Sequence, residues 1–228
     1  MTENLLAPEH VVALVVIAVS IPVLVVAARR WPGPWLRVLA VVLVVDEVSW
    51  WVYIALGGGL PGERVQPLPL QLCDVAILVA AAALWTRRPL LVEVTYFWAL
   101  AGTVQALITP DLPHPFPTYP YLQYYIAHGG TVAAAFILVV GLRITPRPWA
   151  VAWVAGITVA YTAFVFAVDM ATGADYMFLR ARPSTPSLLD ELGPWPWYIV
   201  SAAGIAVLFF AILDAPFRLL QRRAEPLR

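Results

Sequence analysis

Cys73 is the single cysteine of the chain, and it stands beside a carboxylate in Leu68-Pro69-Leu70-Gln71-Leu72-Cys73-Asp74, where an apolar run begins. A thiol attacks as its thiolate, so it needs a base within hydrogen-bond reach to take the proton. His128 is the residue best placed to be that base. Such a pair points to acyl transfer or ester hydrolysis through a thioester. Asp74, Asp46 or Glu47 would orient the imidazole, and Gln71, Gln105 or Gln123 would donate to an oxyanion.

Other chemistry is poorly represented. The chain contains no HExxH, no CxxC, no Gly-rich phosphate loop and no GxSxG elbow. With one Cys and three His, of which His10 and His114 read as peripheral, neither a dedicated metal site nor a cofactor is expected. One cysteine also excludes an intrachain disulfide.

The elements that must hold Cys73 and His128 are membrane helices. The 228 residues are 61% hydrophobic and 12% charged, with mean hydropathy +0.80, more apolar than a soluble domain can bury in one core. The charged residues balance to zero, so no net field recruits nucleic acid, and the expected partner is a membrane lipid. A hydrocarbon core of roughly 30 Å takes about 20 apolar residues per helix. Seven runs approach that length: 10–28, 35–56, 69–85, 89–108, 120–142, 148–171 and 197–213. The expected fold is therefore a single all-α, polytopic bundle of seven transmembrane helices. The first run follows an acidic leader without a cleavage pattern and reads as a retained helix. A short interfacial helix is expected at about 187–192, where Ser187 precedes Asp190 by three residues and Gly193-Pro194 closes the segment.

The arginines give the orientation. Arg29, Arg30, Arg37, Arg87, Arg88, Arg143, Arg147, Arg218, Arg222, Arg223 and Arg228 gather at one set of helix ends, and only Arg64, Arg180 and Arg182 at the other. The positive-inside rule then puts the N-terminus outside and the C-terminus in the cytoplasm, in a cell membrane expected to be the bacterial plasma membrane. The three longer loops fall on the outer side.

Polar residues within the spans are functional candidates by default. Asp46 and Glu47 lie near mid-depth, Cys73 and Asp74 near an outer end, and Gln105, Gln123, Tyr124, Tyr125, His128 and Asp169 between mid-membrane and the outer face. Glu93, near the cytoplasmic end beside Arg87 and Arg88, reads as a solvated helix end. The chain has no lysine, and its arginines all sit at helix ends or in loops, so no permanent cation can neutralise Asp46 or Glu47. These acids must be protonated, hydrated or paired with His128, and each case requires a polar pocket. Tyr121, Tyr124, Tyr125, His128 and Thr131 recur at spacings of three and four, which reads as one stripe on the fifth helix. Gly129 and Gly130 would admit a close neighbour. Cys73 lies about 6 Å of rise below Pro69 and His128 about 12 Å below Pro120, depths compatible with contact.

Leu68-Pro-Leu-Gln-Leu-Cys73, Leu107-Ile-Thr-Pro-Asp111-Leu, Tyr124-Tyr-Ile-Ala-His128-Gly, Tyr176-Met-Phe-Leu and Thr185-Pro-Ser-Leu-Leu-Asp190-Glu-Leu-Gly-Pro-Trp-Pro-Trp-Tyr198 together resemble the YwaF-type bacterial membrane proteins. Those are similar in turn to the eukaryotic transmembrane protein 164 family. The resemblance covers nearly the whole chain, and 175–198 is its most specific block. It implies a lipid acyltransferase with Cys73 as nucleophile and His128 as base. It also adds Asp111 and Asp175 to the pocket set. One departure stands out: position 71, His in the motif, is Gln71, which can hydrogen-bond but takes up no proton at neutral pH.

Two readings of other classes remain open on sequence. One is a proton-coupled transporter or ligand-binding protein using Glu47, His128 and Asp169. The other is an assembly or insertion factor whose polar stripes join helices. Topology has its own check. A fluorescent protein fused after Arg228 should be bright and an alkaline phosphatase fusion there inactive, and the reverse pair would invert the orientation.

Overall fold

The computed structural model describes residues 7–59, 68–110, 112–183 and 188–224. Seven long helices follow in order: α1 (Pro8–Arg30), α2 (Trp35–Ala55), α3 (Leu72–Thr86), α4 (Pro89–Ile108), α5 (Tyr119–Gly141), α6 (Ala150–Thr172) and α7 (Trp197–Ala224). Short 3₁₀ turns at Tyr176–Phe178 and Leu188–Leu192 shape the last outer loop. The second of these lies where the interfacial helix was expected, with Ser187 outside the described residues. Among the described residues, six helices are long and apolar enough to cross a membrane, and α3 is a shorter apolar one. The chain is a polytopic helical membrane protein. Pro8 and Pro89 open α1 and α4, where a missing N–H costs nothing, and Gly173 ends α6 in the left-handed conformation.

Helix α5 is the hub. It contacts α1, α2, α3 and α4, while α6 and α7 pack on each other and against α4. Small residues make this possible: Ala76, Ala80 and Ala83 of α3 and Ala133, Ala134 and Ala135 of α5 are fully or nearly fully buried. A Cβ at Gly129 would lie 2.8 Å from Ile17 of α1, and one at Gly130 would lie 2.6 Å from Leu43 of α2. These glycines let α1 and α2 close on α5. The outward faces of α1 and α2 carry exposed valines such as Val15, Val19, Val41 and Val45, as a lipid-facing surface requires.

Two local features differ from the sequence reading. Helices α4 and α5 each contain a π-helical turn, Ala99–Thr103 and Ile137–Gly141. Helix α3 starts at Leu72 rather than Pro69, and its 15 residues span only about 22 Å. The missing turn is replaced by non-helical backbone at 68–71.

The arginine-rich end is tied by ion pairs. Arg147 donates from Nε and Nη2 to both oxygens of Glu93, at 2.8 and 2.9 Å, and its backbone N–H adds a third bond. Glu93 is therefore not a solvated end paired with Arg87 or Arg88: it is 1% exposed and held by a residue 54 positions away. That carboxylate raises the pKa of the Arg147 guanidinium. Arg218, paired with Asp214 four residues earlier, donates to the carbonyls of Pro146 and Arg147 and so joins α7 to the α5–α6 loop.

The two ends of the Glu93–Arg147 pair differ in exposure, which fixes the order of effects. Arg147→Ala leaves a buried carboxylate without its partner and should cost about 3 kcal/mol, whereas Glu93→Leu leaves a half-exposed guanidinium that water can reach and should cost less. Thermal unfolding in detergent measures both, and an equal or reversed order would contradict the pairing.

Candidate functional site

The descent into the site begins with the extended segment ahead of α3. The Leu70 N–H turns back to the Leu68 carbonyl, and other groups of the segment are taken up by the last outer loop, by α6 and by Asp74 of α3. The Leu68 N–H donates to the Tyr176 hydroxyl at 2.8 Å, and the Leu70 carbonyl accepts from the Tyr161 hydroxyl at 2.9 Å. Gln71 accepts the Met177 N–H on Oε1 at 3.0 Å. Tyr176 is fixed in turn, its N–H donating to both carboxylate oxygens of Asp169. Gln71 is the N-cap of α3, and Asp74 accepts its N–H at 3.1 Å as the acidic arm of a capping box. Cys73 follows as the second helical residue.

Below and beside this start lies a cavity of about 370 Å³. Its wall includes Gln71, Cys73 and Asp74 from α3, Glu47 and Trp50 from α2, and Gln123, Tyr124 and His128 from α5. Thr109 and His114 from the second outer loop close it. No arginine is among these lining residues, and Glu47 and Asp74 make the site acidic.

Each polar side chain has a defined setting. His128 is buried, its Nδ1 lies 2.8 Å from the Tyr124 carbonyl, and its ring stacks on Tyr124 with centroids 4.1 Å apart. A carbonyl can only accept, so Nδ1 carries a proton, and in the neutral imidazole Nε2 keeps its lone pair. The Tyr124 hydroxyl donates to the Ala106 carbonyl at 2.6 Å, which anchors the stack. Glu47, 1% exposed, accepts the Trp51 indole N–H on Oε1 at 2.9 Å. Gln123 donates from Nε2 to Asp46 at 3.2 Å, placing Asp46 behind the cavity wall.

The expected site residues thus divide. Cys73, His128, Gln71, Asp74, Glu47, Gln123 and Tyr124 share one cavity, and Asp46 touches it through Gln123. Gln105 does not belong with them: it is exposed, and its amide returns to the Ala101 carbonyl within its own helix. Asp169 and Asp175 order the outer loop instead, Asp169 through Tyr176 and Asp175 by accepting the Arg180 N–H. Asp111 lies outside the described residues. The α5 stripe is split, because Tyr121 and Tyr125 turn away from the cavity. Tyr121 donates to the Glu9 carbonyl, and Tyr125 meets His10 at 2.6 Å. Those two line a second, larger and almost wholly apolar cavity of about 540 Å³ between α1, α2 and α5, which holds no thiol. The sequence-derived candidates Cys73 and His128 line the smaller cavity, not the larger one.

Sequence reasoning missed His114, which is buried and lines the polar cavity from a loop between two prolines. Loop residues carry no periodicity, so the pattern gave it no inward face. Tyr161 and Tyr176 were missed as well, for their hydroxyls act at contacts 91 and 108 residues away in the chain.

The comparisons with known proteins agree with the resemblance. The profile of the TMEM164 family matches residues 5–214. An uncharacterized protein of Treponema pallidum (strain Nichols) is 27% identical over 154 residues, covering 66% of this chain and 62% of that relative. The chain therefore spans less than two thirds of the relative's length. No solved structure matches.

The tyrosine ties of the 68–71 segment set how tightly the start of α3 is held. Tyr176→Phe deletes the acceptor for the Leu68 N–H, which should cost about 1 kcal/mol and raise the rate of Cys73 alkylation by a small maleimide. An unchanged alkylation rate would mean that this bond does not restrain the segment.

Proposed function

The chain belongs to the TMEM164 family, and from that premise we propose that it is a lipid-directed acyltransferase or ester hydrolase acting by covalent catalysis at Cys73. One observation carries the reading. The lone thiol and an imidazole whose Nε2 keeps its lone pair line the same cavity, at the start of a helix in a membrane bundle. A lipid ester reaches such a cavity without leaving the bilayer, where it is already concentrated. By the arginine asymmetry, the cavity would face the outer side of a bacterial plasma membrane.

The steps balance with the groups present. His128 Nε2 takes the Cys73 proton, and the sulfur bonds to the ester carbonyl carbon. Collapse of the adduct breaks the bond to the alcohol oxygen, which leaves with the proton from His128. The acyl group remains as a thioester. Water, or the hydroxyl of an acceptor lipid, then gives its proton to Nε2 and attacks the same carbon. The sulfur departs and recovers its proton. The choice of second nucleophile separates hydrolase from transferase.

Glu47 supports a second reading. It is buried, and its Oε2 has no hydrogen-bond partner among the described residues, as suits a proton or cation site in a transporter. Asp169 has no part in that version, being committed to Tyr176.

Purified protein in nanodiscs containing labelled phospholipid should show an acyl mass on Cys73 and release acyl product. Cys73→Ser should abolish the thioester, and His128→Ala should slow product formation by roughly 10²-fold or more. No adduct, together with product formation unchanged in both variants, would exclude the enzyme. A pH-driven flux in vesicles that survives Cys73→Ser but is lost in Glu47→Gln would instead support transport.

A further inference from the structure

We propose that Gln71 is a catalytic residue: its side-chain N–H and the backbone N–H of Cys73 together hold the oxyanion that forms when the Cys73 sulfur adds to the ester. The proposal rests on the acyl-transfer reading and assigns the group in that site which receives the developing charge.

The amide of Gln71 has a determined direction. The Met177 N–H can only donate, so the atom 3.0 Å from it is the amide oxygen, and Nε2 must point the other way. Gln71 lines the cavity with Cys73, and no acceptor for its Nε2 occurs among the described residues. Its two hydrogens are therefore available in the cavity that Cys73 also lines. Of the other candidate amides, Gln123 spends one N–H on Asp46, and Gln105 is exposed and bonds the Ala101 carbonyl, so Gln71 is the one of the three whose Nε2 has no described acceptor.

The backbone donor follows from helix geometry. The first N–H groups of a helix have no acceptor within it. The Val75 N–H already reaches the Gln71 carbonyl, and the Gln71 N–H is taken by Asp74. The Cys73 N–H, on the second residue of α3, has no acceptor among the described residues. Two donors two positions apart in the chain, one of them the nucleophile's own backbone N–H, border one cavity, and such a pair can hold a tetrahedral oxyanion.

The outer loop is built to hold this amide. Met177 and Phe178 both have positive φ, 55° and 56°. That conformation costs roughly 1–2 kcal/mol for each such non-glycine residue. It turns the Met177 N–H onto Gln71 and is kept in place by the Asp169 bonds to the Tyr176 N–H and by the Tyr198 hydroxyl on the Phe178 carbonyl. Asp169, Tyr176 and Met177 are thus positioning residues that act through Gln71.

In the step concerned, the sulfur pair forms the S–C bond and the carbonyl π pair moves onto oxygen, where the two N–H groups meet it. When the alcohol leaves, the pair returns to re-form C=O. The donors keep their protons throughout.

Two variants separate donation from packing. Gln71→Glu keeps an oxygen for the Met177 N–H but has no N–H, and Gln71→Met removes the donor without adding charge. Each should lower kcat by roughly 10²–10³-fold with KM changed little. Each should also weaken binding of a lipid-chain trifluoromethyl ketone, whose adduct with the thiol carries the oxyanion, by the same factor. Binding of a matching lipid ether, which forms no adduct, should stay level, and a purely structural role would not split the two ligands in this way. Retention of kcat within about three-fold in both variants, alongside an intact Cys73 adduct in the parent protein, would overturn the Gln71 assignment alone. Absence of that adduct in the parent protein would remove the acyl-transfer reading and this assignment with it.

Discussion

A bilayer supplies no water to an unpaired backbone group, so non-helical chain at membrane depth survives only where protein satisfies it. The segment ahead of α3 meets that condition through distant partners. Tyr176 accepts the Leu68 N–H, Tyr161 donates to the Leu70 carbonyl, and Gln71 accepts the Met177 N–H. Without these contacts the first turn of α3 would extend outward as helix, and Cys73 would sit in mid-helix with its N–H spent on a carbonyl four residues earlier. The late start of α3, at Leu72, is what leaves a thiol, an amide and a backbone donor without a described acceptor together beside a cavity. The outer loop is therefore part of the site, although neither Asp169 nor Asp175 lines it.

Charge is distributed to match. The described ion pairs of the arginine-rich end, Glu93–Arg147 and Asp214–Arg218, tie α4, α7 and the α5–α6 loop where headgroups and water can assist. The cavity has acids and imidazoles but no arginine among its lining residues. Its carboxylates meet neutral donors instead, Trp51 on Glu47 and the Gln71 N–H on Asp74, and Gln123 does the same for Asp46 behind the wall. An arginine in the cavity would hold those carboxylates ionised and compete for any oxyanion. Neutral donors leave room for a proton to move.

Helix α5 divides the interior. Tyr124 and His128 form one pair four residues apart on the cavity side, and Tyr121 and Tyr125 form another facing α1. Adjacent positions on a helix lie about 100° apart, so two such pairs serve two different neighbours while appearing as one stripe in the sequence. The same helix carries the Gly129–Gly130 step that admits α1 and α2. One element thus sets both the tautomer of His128 and the closeness of the bundle around it.

By itself the sequence determined what local rules govern. Hydropathy runs about the width of a bilayer set the number of helices, and residue type marked Cys73, Gln71, Glu47 and His128 as costly to place in lipid. Their spacing said which faces they occupy. It could not say which neighbour each face meets, because that depends on helix rotation and on partners far along the chain. Tertiary structure therefore decided that Glu93 pairs with Arg147, that Gln105 faces outward, that Asp169 holds a loop and that His114 turns inward. It also decided where α3 begins, since Pro69 fits the first turn of a helix equally well. The hydroxyls of Tyr161 and Tyr176 and the Met177 N–H, all more than 90 residues away in the chain, make the non-helical course the favourable one.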